Sequence, residues 1–271
     1  MQRNLIFALT FLISSPFLYS QSSVIQLTKS DSVRLDKVLI VPLNPKLYFS
    51  DSDHALVEYN NRTSDQLMYR WRSAIDVNVT VYMMAARTVQ SMLMDTSLDV
   101  VQDIKAMFDG VSYGYEKSTK AKKADEEKEG KFINKLKGKV SEMTKSGEAK
   151  INHPTAGEIG KPAEEIDEFM FMNVNMARPE MLEYYSEKYE CDQFLFITQF
   201  ELRTIFKEHS DRWTNKFTRE VAVHYALYDK HSKLMAGDVV RVNFNSNTND
   251  LETIIRNTLP YAAQQISEGV Y

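Results

Sequence analysis

Residues 193–206 read Gln193-Phe194-Leu195-Phe196-Ile197-Thr198-Gln199-Phe200-Glu201-Leu202-Arg203-Thr204-Ile205-Phe206, and the fold turns on how that string changes character halfway. Phe194 to Ile197 is solidly apolar, which predicts a strand buried on both faces. Beyond it the pattern alternates. Phe200 and Leu202 fall on one face and Gln199, Glu201 and Arg203 on the other, so the strand is expected to end half-exposed. Lys216 to Tyr228 predicts a second strand, with Val221, Val223, Tyr225 and Leu227 on one face. Asp229-Lys230-His231-Ser232 is turn chemistry, and Leu234, Ala236, Val240, Val242 and Phe244 complete a hairpin.

Working outward, residues 250–268 repeat apolar positions at helical spacing: Leu251, Ile254, Ile255, Leu259, Ala262 and Ile266. Pro260 is expected to kink this last helix. Upstream, Glu168 to Val174 predicts a strand, and Pro179 opens a helix running to about Glu190. At the other end, Lys37-Val38-Leu39-Ile40-Val41-Pro42-Leu43 is a short apolar run closed by Pro42 and Pro45, which predicts another doubly buried strand. A loop covers residues 44–61, with a helical turn inside it at 53–60. Thr63 or Ser64 can cap the next element. Its apolar residues, Leu67, Trp71, Ile75, Val79, Tyr82, Ala86, Val89 and Leu93, recur every three or four positions and predict one long helix. Met83, Met84, Met92 and Met94 fall on that same helix, where core filling is the expected role. A shorter helix runs from Leu98 to Phe108 and ends at Gly110.

These elements define an α/β (α+β) fold. A mixed β-sheet is covered by helices, with a long amphipathic helix after the first strand and a C-terminal β-hairpin plus helix.

The chain opens with Arg3, an apolar run from Leu5 to Leu18, and small polar residues at Ser20 to Ser23, the pattern of a secretory signal peptide. Small residues at Ser20 and Ser22 place the cut so that residues 1–22 are the leader and 23–271 a single α/β domain. The apolar run is shorter than the roughly 20 residues of a membrane-spanning helix, and no second run comes after it. The expected location is therefore periplasmic or secreted, with no transmembrane helix after cleavage. No cysteine stands at the junction, so a lipoprotein is not expected. Cys191 is the one cysteine, which leaves stability to a core and not to disulfides.

The charge is unevenly spread. Between Tyr115 and Lys150 eleven lysines face seven acids, a local +4 in a chain of net charge -4. Ala121 to Glu129 has almost no apolar content, and glycines at 130, 138, 147, 157 and 160 interrupt the rest of the segment. The reading is a lysine-rich flexible insertion at about 115–162. Lys120, Lys122 and Lys123 are its candidate contacts for an anionic surface such as lipid headgroups. Nucleic-acid binding is not expected, because only Tyr115 and Phe132 are near enough to stack.

A buried opening strand ending Val41-Pro42, a long helix, a helix leading into Cys191-Asp192-Gln193-Phe194-Leu195-Phe196-Ile197, and a hairpin bending at Tyr228-Asp229-Lys230 with Leu234 and Gly237 after it form a pattern. It resembles the periplasmic α/β modules of the TolB amino-terminal domain, the curli-secretion lipoprotein CsgG and the penicillin-binding-protein activator LpoB. The resemblance covers about residues 37–95 and 180–268. Two departures stand against it: no lipid-anchor cysteine, and no counterpart for 96–175. It implies a protein that acts by binding and assembly, contributes no catalytic residues, and has an envelope protein as partner.

The chemistry-bearing candidates are few. Asp51, Asp53 and His54 come after the opening strand, where open α/β sheets place ligands. As an EF-hand loop counted from Asp51 the stretch fails, with Leu56 at the sixth place and Arg62 at the twelfth. Turn and cap roles are the alternative. His209, Asp211, His224 and His231 lie near bends or strands. No Gly-x-Ser-x-Gly elbow, His-Glu-x-x-His helix or phosphate-binding glycine loop is present among nine glycines. The expectation is a non-enzymatic accessory protein with no cofactor, no metal and no catalytic residues. A periplasmic enzyme or metal-binding protein using the Asp51/Asp53/His54 loop is the alternative.

Overall fold

The strand that opens at Gln193 sits at the centre of the main sheet. A computed structural model describes residues 36–124, 169–206 and 217–270. In chain order these form β1 (Lys37–Val41), a 3-10 turn (Pro45–Leu47), β2 (Tyr48–Ser50), α1 (Asp53–Asn60), α2 (Ser64–Met84), β3 (Thr88–Ser91), α3 (Leu98–Asp109) and β4 (Val111–Lys117). They continue as β5 (Met170–Met176), α4 (Glu180–Tyr189), β6 (Gln193–Ile205), β7 (Thr218–Asp229), β8 (Leu234–Phe244) and α5 (Leu251–Gly269). The α/β class is as expected: a mixed sheet ordered β3-β1-β6-β7-β8, with helices on both faces.

β1 runs parallel to both β3 and β6, whereas β6, β7 and β8 form an antiparallel meander. β2 pairs with the same strand as β1, further along: Val38 to Val41 face Gln193 to Phe196, and Tyr48 to Ser50 face Phe200 to Leu202. The two line the same side of β6 in succession, separated by Pro42 and Pro45, whose missing N–H groups break the ladder. Asn44 secures the interruption by accepting from the Lys46 N–H at 3.1 Å.

β1 divides its side chains between two cores. Val38 and Ile40 join Leu67, Trp71, Ile75 and Val79 of α2 and Leu251, Ile254 and Leu259 of α5 on one face. Leu39 and Val41 join Val100, Ile104 and Met107 of α3 and Leu182, Tyr185 and Tyr189 of α4 on the other. That two-sided burial is why the segment reads as an unbroken apolar run. α2 begins with a reciprocal capping box between Thr63 and Gln66. α5 begins with the Asp250 carboxylate accepting from the Thr253 N–H, and Pro260 lies inside α5 without ending it.

Three expectations are corrected. The long helix stops at Met84, and Thr88 to Ser91 form the edge strand β3, so Val89 pairs with Val38 and Met92 and Met94 are not helical. Helical spacing continues through Ala86, Val89 and Leu93, but the β-branched Thr88 and Val89 gain more from pairing beside β1. The lysine-rich stretch does not begin at Tyr115 as an irregular excursion, because Val111 to Lys117 pair antiparallel with Met170 to Met176 as a two-stranded arm. Residues 119–124 are helical, and the rest of the insertion, from 125, lies outside the described residues, as do the leader and His209 and Asp211. Finally, β6 does end half-exposed at Arg203 to Ile205, but full burial extends further than expected and takes in Gln199 and Glu201.

The last correction has a geometric cause. A bulge between Ile197 and Gln199 leaves Thr198 without a partner in β7. Before it, odd-numbered residues face α2 and α5. After it, even-numbered ones do, and Gln199, Glu201 and Arg203 turn to the face covered by the arm.

Candidate functional site

The loop proposed from sequence as a ligand site is tied into the fold. The Asp51 carboxylate accepts from the Thr204 N–H at 2.7 Å, the Thr204 hydroxyl at 3.0 Å and the Ser52 hydroxyl at 2.8 Å. Asp53 accepts from the Tyr48 hydroxyl at 2.7 Å, and burial of Tyr48 together with this contact raises the phenol's pKa. His54 is exposed. Asp51 and Asp53 thus fasten β2 and α1 to β6. Among the described residues, no three His, Cys, Asp or Glu side chains are grouped to hold a metal. Of the lysines, Lys120 pairs with Asp238 at 3.2 Å, Lys122 with Glu116 at 3.3 Å, and Lys123 is exposed.

The densest polar constellation lies elsewhere, between the β6–β7–β8 face and the β4–β5 arm. β5 pairs with β4 on one side only, so its other edge carries backbone groups that need partners. Side chains of the main sheet supply them. His224 Nδ1 accepts from the Met172 N–H at 2.9 Å, the Thr198 hydroxyl donates to the Met172 carbonyl at 2.5 Å, and the Tyr228 hydroxyl lies 2.7 Å from the Val174 carbonyl and 2.8 Å from Asn173 Oδ1. The bulge at Thr198 is what aims that hydroxyl at the arm.

Because His224 accepts at Nδ1, its proton sits on Nε2, which faces Glu201 Oε1 at 3.2 Å. Gln199 donates to Glu201 and, at 2.9 Å, to the Tyr115 hydroxyl of β4. Arg203 bridges Glu201 at 3.0 Å and Glu220 at 2.6 Å, and Arg241 of β8 lies 3.5 Å from Glu220. Burial pushes the His224 pKa down; Glu201 opposes this, while Arg241 and Arg203 add to it. Burial pushes Glu201 up, but His224, Arg203 and Gln199 together hold it below the usual carboxylate range. The stable state is a neutral imidazole beside an ionised, arginine-clamped Glu201. Two arginines and two glutamates balance, as burial of charge requires.

A second buried carboxylate, Asp76 of α2, accepts from the Ser91 hydroxyl at the end of β3. Its other oxygen has no hydrogen-bond partner, and burial raises its pKa to about 6. Arg72, one turn earlier, donates instead to the Leu43 carbonyl at 2.7 Å. Cys191 is buried, and burial pushes its thiol up to about 12, which makes it unreactive. His231 meets Glu183 at 2.9 Å on the surface.

Reading the sequence did not find the buried cluster. Gln199, Glu201 and Arg203 look like a solvent face, and His224 like an isolated histidine. The available signal was the row opposite them. Ala222 and Ala226 flank His224 on β7, and small residues there leave room for a covering layer. No family model, curated protein or solved structure matches this chain. No helix among the described residues is long and apolar enough to cross a membrane.

Proposed function

We propose that this chain is a non-enzymatic accessory or assembly protein of the periplasm that docks to another cell-envelope protein. The observation that carries the reading is on the outer face of α2. Val77, Val81 and Met84, spaced i, i+4 and i+7, are 44%, 59% and 61% exposed on a helix whose opposite face is fully packed. Apolar side chains at that spacing form a strip on the order of 10 Å long, the kind a partner's helix or groove covers. The resemblance to envelope assembly modules supports the same reading.

Photocrosslinking from position 81 in cells of the native host tests it. A discrete adduct with one other envelope protein is expected, absent from position 105 on the far face of the sheet and weakened by Val77→Asp with Met84→Asp. Adducts that are equal at positions 81 and 105, or that contain only this chain, overturn the reading.

A further inference from the structure

We propose that His224 is a proton-operated latch: gain of a proton at Nδ1 releases the β4–β5 arm from the face of the main sheet.

The geometry makes the two events exclusive. In the closed state Nδ1 is an acceptor, and its partner is a backbone N–H of the arm at 2.9 Å. A proton placed on Nδ1 turns that contact into two opposed donors, and a buried N–H without an acceptor is unfavourable. The imidazole cannot turn over to relieve the conflict. Its far side is set against Glu201, and the Tyr115 ring stands edge-on at 6.3 Å between centroids. The relief left is for β5 to move away.

The charged surroundings of His224 come from every strand packed on it. Glu201 and Arg203 lie on β6, Glu220 on β7 itself and Arg241 on β8. β4 contributes the Tyr115 phenol, and β5 faces the ring with the Met172 N–H. Glu201 favours an imidazolium. But that carboxylate is already clamped by Arg203 and Gln199, and the two arginines repel a third positive charge. In the open arm the ring is solvated and takes its proton near the ordinary imidazole range, so acidification favours the open form. The other side chains that bond to the edge of β5, Thr198 and Tyr228, carry hydroxyls that do not titrate over that range, and the hydrogen bonds of Tyr115 with Gln199 and of Thr119 with Gly237 do not either. Of the three side chains that hold β5, His224 therefore makes the pH-sensitive contact.

Opening uncovers a specific surface. Phe171 of β5 packs with Ala226, and Gly237 lies directly beneath its ring. Lifting the arm exposes this apolar hollow next to His224, which lies two residues from Ala226 on the same face of β7.

Amide hydrogen exchange of the full chain, corrected for the intrinsic pH dependence of exchange, tests the latch. His224→Gln is the control, because its amide oxygen can accept from Met172 and its NH2 can face Glu201 without titrating. In the wild type, protection across 170–176 should fall by up to about tenfold for each unit below the free-imidazole range. In H224Q it should stay flat while β6 and β7 remain protected in both. An equal acid response in the two proteins, or none in the wild type, overturns the proposal. Nitrogen-15 NMR of the wild-type imidazole gives a check that needs no variant: protonation must coincide with arm opening, and a ring that stays neutral while the arm opens also overturns it.

Discussion

Gly237 of β8 lies directly under the ring of Phe171 of β5: a Cβ built on Gly237 would come within 2.3 Å of the Phe171 Cζ. Gly237 pairs with Ala226 in the neighbouring strand, so a glycine and an alanine sit side by side beneath one phenyl group. The Gly237 backbone is engaged too, donating to the Thr119 hydroxyl at 3.2 Å and accepting from it at 3.1 Å. The residues just after β4 thereby cap the edge of β8, while Phe171 of β5 fills its surface.

Gly237→Ala should therefore displace the ring and destabilise the chain by about 1–3 kcal/mol, the range for overpacking a core. Phe171→Ala should cost about 3–5 kcal/mol. Adding Gly237→Ala to Phe171→Ala should cost much less than it does alone, because the clash is gone. Urea unfolding of the two single variants and the double variant measures this coupling. Strict additivity would show that the ring tolerates the methyl.

How plainly a segment can be read from the sequence depends on where each residue finds its partner. Val38 to Val41 and Phe194 to Ile197 are legible because both faces are buried, leaving one reading for a short apolar run. The hairpin is legible because its turn and its alternation agree. β3 is hidden because Val89 happens to continue the helical spacing, and only its pairing with Val38 shows it to be a strand. β4 is hidden by its neighbours: Tyr113 and Tyr115 alternate properly, but the lysines after them draw the eye to charge. The cluster of Glu201, Arg203 and His224 is the least legible. Its polar side chains satisfy one another only once a second layer has closed over them, and no local pattern encodes that layer.

Asp76 predicts an unusual pH dependence. Its carboxyl is raised to about 6 from an ordinary value near 4, so the folded chain binds more protons than the unfolded chain between those values. This group's contribution to stability is therefore highest in acid and falls as pH rises to about 6, by roughly 3 kcal/mol. Asp76→Asn cannot ionise. Its stability relative to wild type should grow by that amount between pH values near 4 and near 7, whatever the variant's offset at either end. Paired urea titrations at the two pH values read this double difference, and a constant offset would show that Asp76 is not raised.

His224 acts in the opposite sense. Its pKa is depressed by folding, so its contribution is complete above the free-imidazole value and is lost as pH falls below it. In wild type the two slopes partly offset each other in mild acid. In Asp76→Asn the histidine slope should stand alone, and stability should fall more steeply below about pH 6.5 than in the parent.

The ion pairs should divide sharply by burial. Glu201→Leu leaves Arg203 half-paired and removes the carboxylate facing His224, at a cost of about 3–5 kcal/mol. Lys122→Ala removes a pair with Glu116 that is exposed on both sides, and should change stability by less than about 0.5 kcal/mol. Thermal unfolding at low and high salt separates them: added salt should leave the Glu201 effect nearly unchanged and erase whatever the Lys122 pair contributes.

The three residues of the 51–54 loop should likewise behave unequally if they are fasteners and not ligands. Asp51 accepts two hydrogen bonds from Thr204 across the gap to β6, so Asp51→Ala should cost about 1–2 kcal/mol. Asp53→Ala loses one bond, from Tyr48, and should cost about 1 kcal/mol or less. His54 is exposed, and His54→Ala should be silent. A metal site would reverse this ranking in one respect: all three variants would abolish a shared stabilisation by calcium, magnesium or zinc. Melting curves with and without each cation decide between the two. Since the Asp51 carboxylate is already occupied by three donors, a cation would have to displace Thr204 and loosen β2 from β6, so added metal should leave the melting temperature where it is.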